Sequence, residues 1–470
     1  MPSKFLQAVA PFARVIPTIK RPERRLSFKE RLIWSLLVLI IYYLMASVPL
    51  YGIVIGQGVD PFWTLRVLLA SSRGTLAELG IGPIVTGGLI IELLVGSKII
   101  LVDFSDPDER RIYNEAVRGM AVLMTIFHAA AYVIGGAYGS LQPGQAFIVF
   151  LQLIIAGIFI ILLDEIVSKG YGIGSGISLF ILGGVAQRII FSLFSISPVG
   201  DGYAYGFIPA LVQALQRGRL NDIIVRRGWP DFVGLITTIF IASMIIYLES
   251  LTIDIPAEST IFRYKFRYPL KFMYVSNIPV ILVGALAAEI MFLSQMIWNQ
   301  FPGNFFASLF GTWIVEEGRP IATGGLCKYI VPPQGLIFSI EDPYHAVGYF
   351  IWMVFGCWVF GVLWVSVAGM NEYAIAEQLL AMKIKITGIR ASKRHIAQYL
   401  RPYIWCSTHL SSILMGIIAA MADILGAYAT GSGLLLAISI LRGLIDEVAR
   451  AHIEELSPGI RRLITGRMKF

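Results

Sequence analysis

An all-α integral membrane fold, with ten transmembrane helices in two inverted halves of five, is what the sequence predicts, and three observations carry it. The first is composition: of 470 residues 56% are hydrophobic and 14% charged, with a mean hydropathy of +0.73, whereas a soluble domain is roughly 45–50% apolar. The second is that the apolar residues fall in blocks of about 20, the length that crosses a bilayer core. The third is a faint repeat. The fifth block opens with Gly174-Ser175-Gly176-Ile177 and the tenth with Gly431-Ser432-Gly433-Leu434, while the second opens with Gly82-Pro83 and the seventh with Ile278-Pro279. An odd number of spans per half turns the second half over relative to the first, a design shared by many transporters and channels.

The spans of the N-terminal half are expected at 32–52, 81–100, 116–138, 147–163 and 176–194, and those of the C-terminal half at 232–251, 279–298, 346–368, 404–425 and 434–448. The corresponding division is 1–31 as a cytoplasmic amphipathic segment, 32–194 and 232–449 as the two halves, 195–231 as an external loop and 450–470 as a cytoplasmic tail. Residues 5–19 alternate loosely between apolar and polar positions and are interrupted by Pro11 and Pro17, which suits either a short helix on the membrane surface or a disordered tail. No continuous apolar h-region precedes the first span, so that span is expected to serve as the insertion signal. Residues 61–76 have helical periodicity but are too short, and too broken by Ser71, Ser72 and Gly74, to cross a bilayer. They read as a re-entrant half-helix, and such backbone survives at membrane depth only beside protein or a water-filled cavity.

Lys and Arg set the orientation. Eight of them (Lys4, Arg14, Lys20, Arg21, Arg24, Arg25, Lys29, Arg31) precede the first span and none lies in 141–146, which puts the N-terminus in the cytoplasm and, after ten spans, the C-terminus with it. One loop dissents: 201–231 should be external yet carries Arg217, Arg219, Arg226 and Arg227. The strongly basic stretches 254–271, with Arg263, Lys265, Arg267 and Lys271, and 370–401, with Lys383, Lys385, Arg390, Lys393 and Arg394, fall inside. Composition alone leaves them as topogenic charges or as docking sites for a large acidic partner.

The usual catalytic signatures are missing: there is no H-E-x-x-H, no P-loop lysine motif, no G-x-S-x-G and no zinc spacing, so neither an enzyme nor a cofactor or metal is expected. Cys327, Cys357 and Cys406 read as packing residues. Glu92, His128, Glu289, Asp423 and Arg442 fall inside the spans and should face protein or water. Glu92, His128 and Glu289 suit a polar contact between helices or an ion relay, the latter as a secondary transporter with a five-plus-five inverted repeat would need. The helix openings are aliphatic instead: Ile81 and Val85, Ile177 and Ile181, Ile281, Leu435 and Leu436. Residues i and i+4 share a helix face. Several such faces would make ordinary packing, or else a hydrophobic constriction that blocks ions by dewetting.

Longer stretches decide between these. Arg73-Gly74-Thr75-Leu76 is followed by Leu79-Gly80-Ile81-Gly82-Pro83-Ile84-Val85-Thr86. Further on come Leu163-Asp164-Glu165-Ile166-Val167-Ser168-Lys169-Gly170-Tyr171-Gly172-Ile173-Gly174-Ser175-Gly176-Ile177-Ser178-Leu179-Phe180, then Tyr268-Pro269-Leu270-Lys271 and Tyr274-Val275-Ser276-Asn277-Ile278-Pro279-Val280-Ile281-Leu282. Over nearly the whole chain the sequence resembles archaeal SecY, the channel subunit of the Sec protein translocon, and its eukaryotic counterpart.

The resemblance implies a clamshell of two five-helix halves around an hourglass pore that passes secretory polypeptides and releases transmembrane segments sideways into lipid. The family's pore ring falls on Ile81, Val85, Ile177, Ile181, Ile281 and Leu436, and its plug on 61–76, with Phe62, Trp63, Leu65, Leu68, Leu69 and Arg73. Its lateral-gate polar cluster falls on Thr86, His128 and Glu289, where His128 replaces an acid and Glu289 an amide. That exchange would make the gate pH-sensitive, since an unperturbed histidine titrates near ~6.5. Docking loops for the ribosome fall on Arg263, Lys265, Arg267, Lys271, Arg390, Lys393 and Arg394. The implied partners are a SecE-type clamp subunit, a small Sec-beta-type subunit, the ribosome with its nascent chain and signal sequence, and membrane lipid. The implied place is the cell membrane rather than the endoplasmic reticulum.

Overall fold

The structure, a computed structural model, describes residues 4–455 apart from 25, 54–69, 98, 103–105, 136–137, 139–140, 201, 260–263, 276, 317–318 and 334. Among the described residues ten long helices make the bundle: α1 (Phe28–Ser47), α2 (Gly82–Gly96), α3 (Pro107–Ile134), α4 (Pro143–Ile166), α5 (Gly176–Phe194), α6 (Phe232–Ser250), α7 (Ile278–Gln300), α8 (Pro343–Val367), α9 (Lys393–Ile424) and α10 (Gly431–Glu455). Among the described residues eight helices are long and apolar enough to cross a membrane, and α2 is apolar but shorter, at 15 residues. At 1.5 Å per residue α2 spans only about 22 Å. Its missing depth is filled by the turn before it, whose Ala77, Leu79 and Ile81 are buried. Irregular backbone at that depth is thus shielded by protein.

Helix starts follow local chemistry more closely than hydropathy does. Ser27 and Glu30 form a capping box, with Glu30 N–H donating to Ser27 Oγ and Ser27 N–H to Glu30 Oε2. The first span therefore begins at Phe28, ahead of its expected start at 32. Asp106-Pro107 starts α3, and Ser392 starts α9, well before the expected 116 and 404. At the α8 start Asp342 accepts the His345 N–H at 3.1 Å and pairs with Lys328 at 2.6 Å, contacts that hold its carboxyl below the usual range.

Two small sheets among the described residues lie outside the spans. β1 (Thr252–Ser259) pairs antiparallel with β2 (Lys265–Lys271), Thr252 opposite Lys271, and β3 (Thr312–Glu316) pairs with β4 (Arg319–Gly324). β5 (Ile384–Ile386) adds to the free side of β1, with Ala257 opposite Ile386. Pro269 is tolerated because β2 is an edge strand. The two basic stretches, 254–271 and 370–401, are therefore one three-stranded body.

The main apolar core joins α1, α3, α4, α5, α7 and α10, with α2 packed partly buried against it, and a second joins α2 to α6, α7, α8, α9 and α10. Glycines let the helices approach closely: a Cβ on Gly87 would stand 2.6 Å from Ala121 N, and one on Gly361 would stand 1.9 Å from Ser412 Oγ. The N-terminal segment forms a helix at Lys4–Val9. Its Leu6 and Val9 bury against α3, where Arg118 Nη2 donates to Pro17 O at 2.8 Å. Of the two readings of 5–19, then, it is the helix that forms, with protein covering its apolar face.

Three of the four dissenting arginines are taken up by the fold. Arg226 is buried and its guanidinium donates to the carbonyls of Ala204, Tyr205 and Pro230. Arg217 reaches Gly202 O at 2.9 Å and lies over the Tyr203 ring, and Arg227 pairs with Glu341 at 3.0 Å. Arg217 and Arg226 thus serve the loop's own structure and Arg227 ties it to the residues before α8, which explains how the loop departs from the charge rule.

Candidate functional site

The six aliphatic residues expected at the pore ring all belong to or pack against one apolar cluster. Ile81, Ile181 and Leu436 are buried members of one apolar cluster, and Val85, Ile177 and Ile281 pack against it partly buried. They come from α2 and the turn before it, α5, α7 and α10, so both halves contribute. All six side chains are aliphatic, so none of them offers a charge to bind an ion.

Beside it, Glu289 of α7 faces two other helices. Its Oε1 accepts the Thr86 hydroxyl from α2 at 2.9 Å and lies 2.9 Å from His128 Nε2 of α3. Thr86 and His128 are buried. The Tyr132 and Phe292 rings stack at 5.7 Å between the same two helices, α3 and α7. This is the polar contact between helices that the sequence allowed. Glu92 stands apart from that trio, and Arg442 donates to Ile246 O at 3.0 Å, on α6.

Of the expected plug positions, Phe62, Trp63, Leu65, Leu68 and Leu69 lie outside the described residues. Arg73 is described, in a turn pinned to the end of α1: Leu50 N–H donates to Gly74 O at 2.8 Å and Leu76 N–H to Val48 O at 3.0 Å. Buried Glu78 accepts the Gly74 N–H, and Gly74 holds φ +70. Sequence reasoning missed Glu78. An acid three residues before the aliphatic Ile81 was the available signal. A cavity of about 520 Å³ opens beside Ala70, Ser71 and Ser72, at the end of the bundle where α1, α5 and α9 finish.

The docking residues are laid out by the strands. Lys265, Arg267 and Lys271 occupy the exposed alternate positions of β2, while Leu270 turns into a cluster with Ile255, Ile386 and Leu400. Arg390, Lys393 and Arg394 are exposed just after β5, and Arg263 lies outside the described residues. Lys385 and Glu258 bridge the two stretches at 2.6 Å.

A family model described as SecY matches residues 75–445, and one described as the plug domain of Sec61p matches residues 40–74. Among solved structures, one described as that of a protein-conducting channel is 34% identical, covering 96% of this chain and 98% of that one with a TM-score of 0.80. Sec61 in a canine ribosome-channel complex from the endoplasmic reticulum is also 34% identical, over 96% and 98%, with a TM-score of 0.77. The idle yeast Ssh1 complex on the yeast 80S ribosome shares the fold at 22% identity, over 96% and 94%, with a TM-score of 0.78.

Proposed function

Since this chain belongs to the SecY family, we propose that its six clustered aliphatic residues form the seal of the pore through which it conducts polypeptides. The protein is a multi-pass membrane channel for protein translocation, with the family's plug segment between its first two spans. The observation that supports the proposal is that Ile81, Val85, Ile177, Ile181, Ile281 and Leu436, drawn from both halves, belong to or pack against one apolar cluster. An aliphatic gasket fits around an extended chain of any sequence, while an empty one dewets and stops ions.

The rest of the reading follows. Residues 32–194 and 232–449 act as the two leaves of the clamshell. The contact of Thr86, His128 and Glu289 is the latch of a lateral gate between α2 and α3 of one leaf and α7 and α8 of the other. Residues 61–76 are the plug. The exposed cations of β2 and of 390–394 attract the phosphates of ribosomal RNA, as is fitting for a relative of the canine channel in its ribosome complex. A SecE-type subunit and a small Sec-beta-type subunit complete the assembly, with both termini in the cytoplasm and the cell membrane as its place.

A photocrosslinking probe at Ile177, in vesicles carrying the partner subunits and a stalled secretory chain, tests this. The nascent chain is expected to crosslink at Ile177 and not at Phe150 of α4. Capture at neither position, with uptake of a small solute, would instead make the cluster ordinary core and the protein a transporter.

A further inference from the structure

The inverted repeat carries a pair of aspartates that the family reading does not use. Asp164 ends α4 and its Oδ1 accepts the Ile177 N–H at 3.0 Å, at the start of α5. Asp423 ends α9 and its Oδ1 accepts the Gly431 N–H at 2.6 Å, at the start of α10, while its Oδ2 accepts the Tyr349 hydroxyl at 2.7 Å. The two helices that follow carry Ile177 and Leu436, and each of these lies 13 residues after its aspartate. The close fit repeats as well. A Cβ on Gly176 would stand 2.5 Å from Asp164 Cα, and one on Gly431 would stand 2.1 Å from Ala419 O and 3.0 Å from Asp423 N. Because helices alternate in direction, the two contacts stand at opposite ends of the bundle.

We propose that Asp164 and Asp423 are paired positioning residues, each fixing the axial height of one constriction residue, Ile177 or Leu436, through the first backbone N–H groups of its helix. The reason is geometric. A helix start has N–H groups without intrahelical partners and a partial positive charge, so a carboxylate held by the preceding helix ties the two together at one height. The glycine leaves no slack between them. Each half thus sets its own side of the constriction independently of the other. This rests on the ring assignment made above, and its test separates the two.

Cys327, Cys357 and Cys406 are first replaced, and Ile177→Cys and Leu436→Cys then serve singly as reporters in the full complex in vesicles, read by reaction rate with a water-soluble maleimide. Asp164→Ala is expected to change the rate at position 177 by about tenfold, the factor one charge-assisted hydrogen bond represents in an equilibrium, and to leave position 436 as it was. Asp423→Ala should do the converse. Asp164→Asn and Asp423→Asn, whose amide oxygen still accepts an N–H, should restore the parent rates. Both reporters moving together in step with a lowered Tm, or neither moving, would overturn the proposal. Should an alanine variant not assemble, Gly176→Ala pushes the same helix start away from Asp164 and must move the 177 reporter alone; an unmoved reporter overturns it equally. Resting ion conductance of the same vesicles tests the ring separately, because selective reporter shifts without any leak keep the paired aspartates and remove the ring.

Discussion

His128 Nε2 stands 2.9 Å from Glu289 Oε1, across the seam between α3 and α7, and the same oxygen accepts the Thr86 hydroxyl from α2. One carboxylate oxygen therefore holds three helices, two from one half and one from the other. In a mostly buried setting such hydrogen bonds are worth more than surface ones, and leaving a partner unsatisfied adds a cost.

Glu289→Ala is expected to shift the proposed lateral gate toward its open form by about 1.5–3 kcal/mol, the range for a hydrogen bond to a charged group. The readout is translocation of a precursor with a shortened signal sequence, which should improve, while a normal precursor still passes. Glu289→Gln, which keeps an acceptor oxygen, should lie between. Complete loss of translocation in the alanine variant would instead point to an obligatory relay.

Gly87 and Gly88 are adjacent on α2 and should behave oppositely. A Cβ at Gly87 meets the Ala121 backbone of α3 at 2.6 Å, whereas one at Gly88 meets nothing within 4 Å. Backbone cannot swing aside as a side chain does, so Gly87→Ala should cost about 1–3 kcal/mol through overpacking. Gly88→Ala should be neutral or slightly stabilising, since alanine is the better helix former. Melting curves of the two variants in detergent would settle it, and a Gly87→Ala protein as stable as Gly88→Ala would show that α2 and α3 are free to part.

On the docking side, Arg390→Glu and Lys271→Glu lie on different connections but on one three-stranded body. Each should weaken ribosome binding by roughly tenfold at low salt, with the difference shrinking as salt screens exposed charge. Ile386 is buried under the sheet opposite Ala257. Ile386→Asp, which replaces no docking cation, should therefore lower binding as well, by loosening one arm from the other. Wild-type binding in Ile386→Asp would mean the arms act separately.

Much of this was legible in the sequence because bilayer spans are written in runs of apolar residues, and α5 begins at Gly176, as expected, because Ser175 caps it. The places where reading failed share a cause. β1 and β5 are about 125 residues apart, and a strand of three residues has too few alternations to announce itself. The Gly-Ser-Gly echo was visible, and so was Asp423 as an ionisable residue inside a span, yet the pairing of each aspartate with the next helix start was not, because each sits on the preceding helix across a turn. Glu78 escaped for the same reason: its acceptor role depends on a turn that only the folded chain makes.

Glu78 supplies the last prediction. It is 1% exposed, and its carboxylate accepts the Gly74 N–H in the turn that closes the plug segment onto α1. Thr75 Oγ1 supports the same turn, donating to Ser72 O at 2.8 Å and accepting the Ala77 N–H at 3.2 Å. Removing the carboxylate leaves a buried N–H without its acceptor, which costs about 1–3 kcal/mol. That cost falls on the segment between the plug and Ile81, so Glu78→Ala should raise resting ion conductance while nascent-chain crosslinking at Ile177 persists. Glu78→Gln, retaining an oxygen, should leak less. If Glu78→Ala seals as the parent does and melts at the same temperature, the turn is held by the Leu50 and Leu76 hydrogen bonds to the neighbouring chain alone, and the plug is anchored from α1 rather than from within.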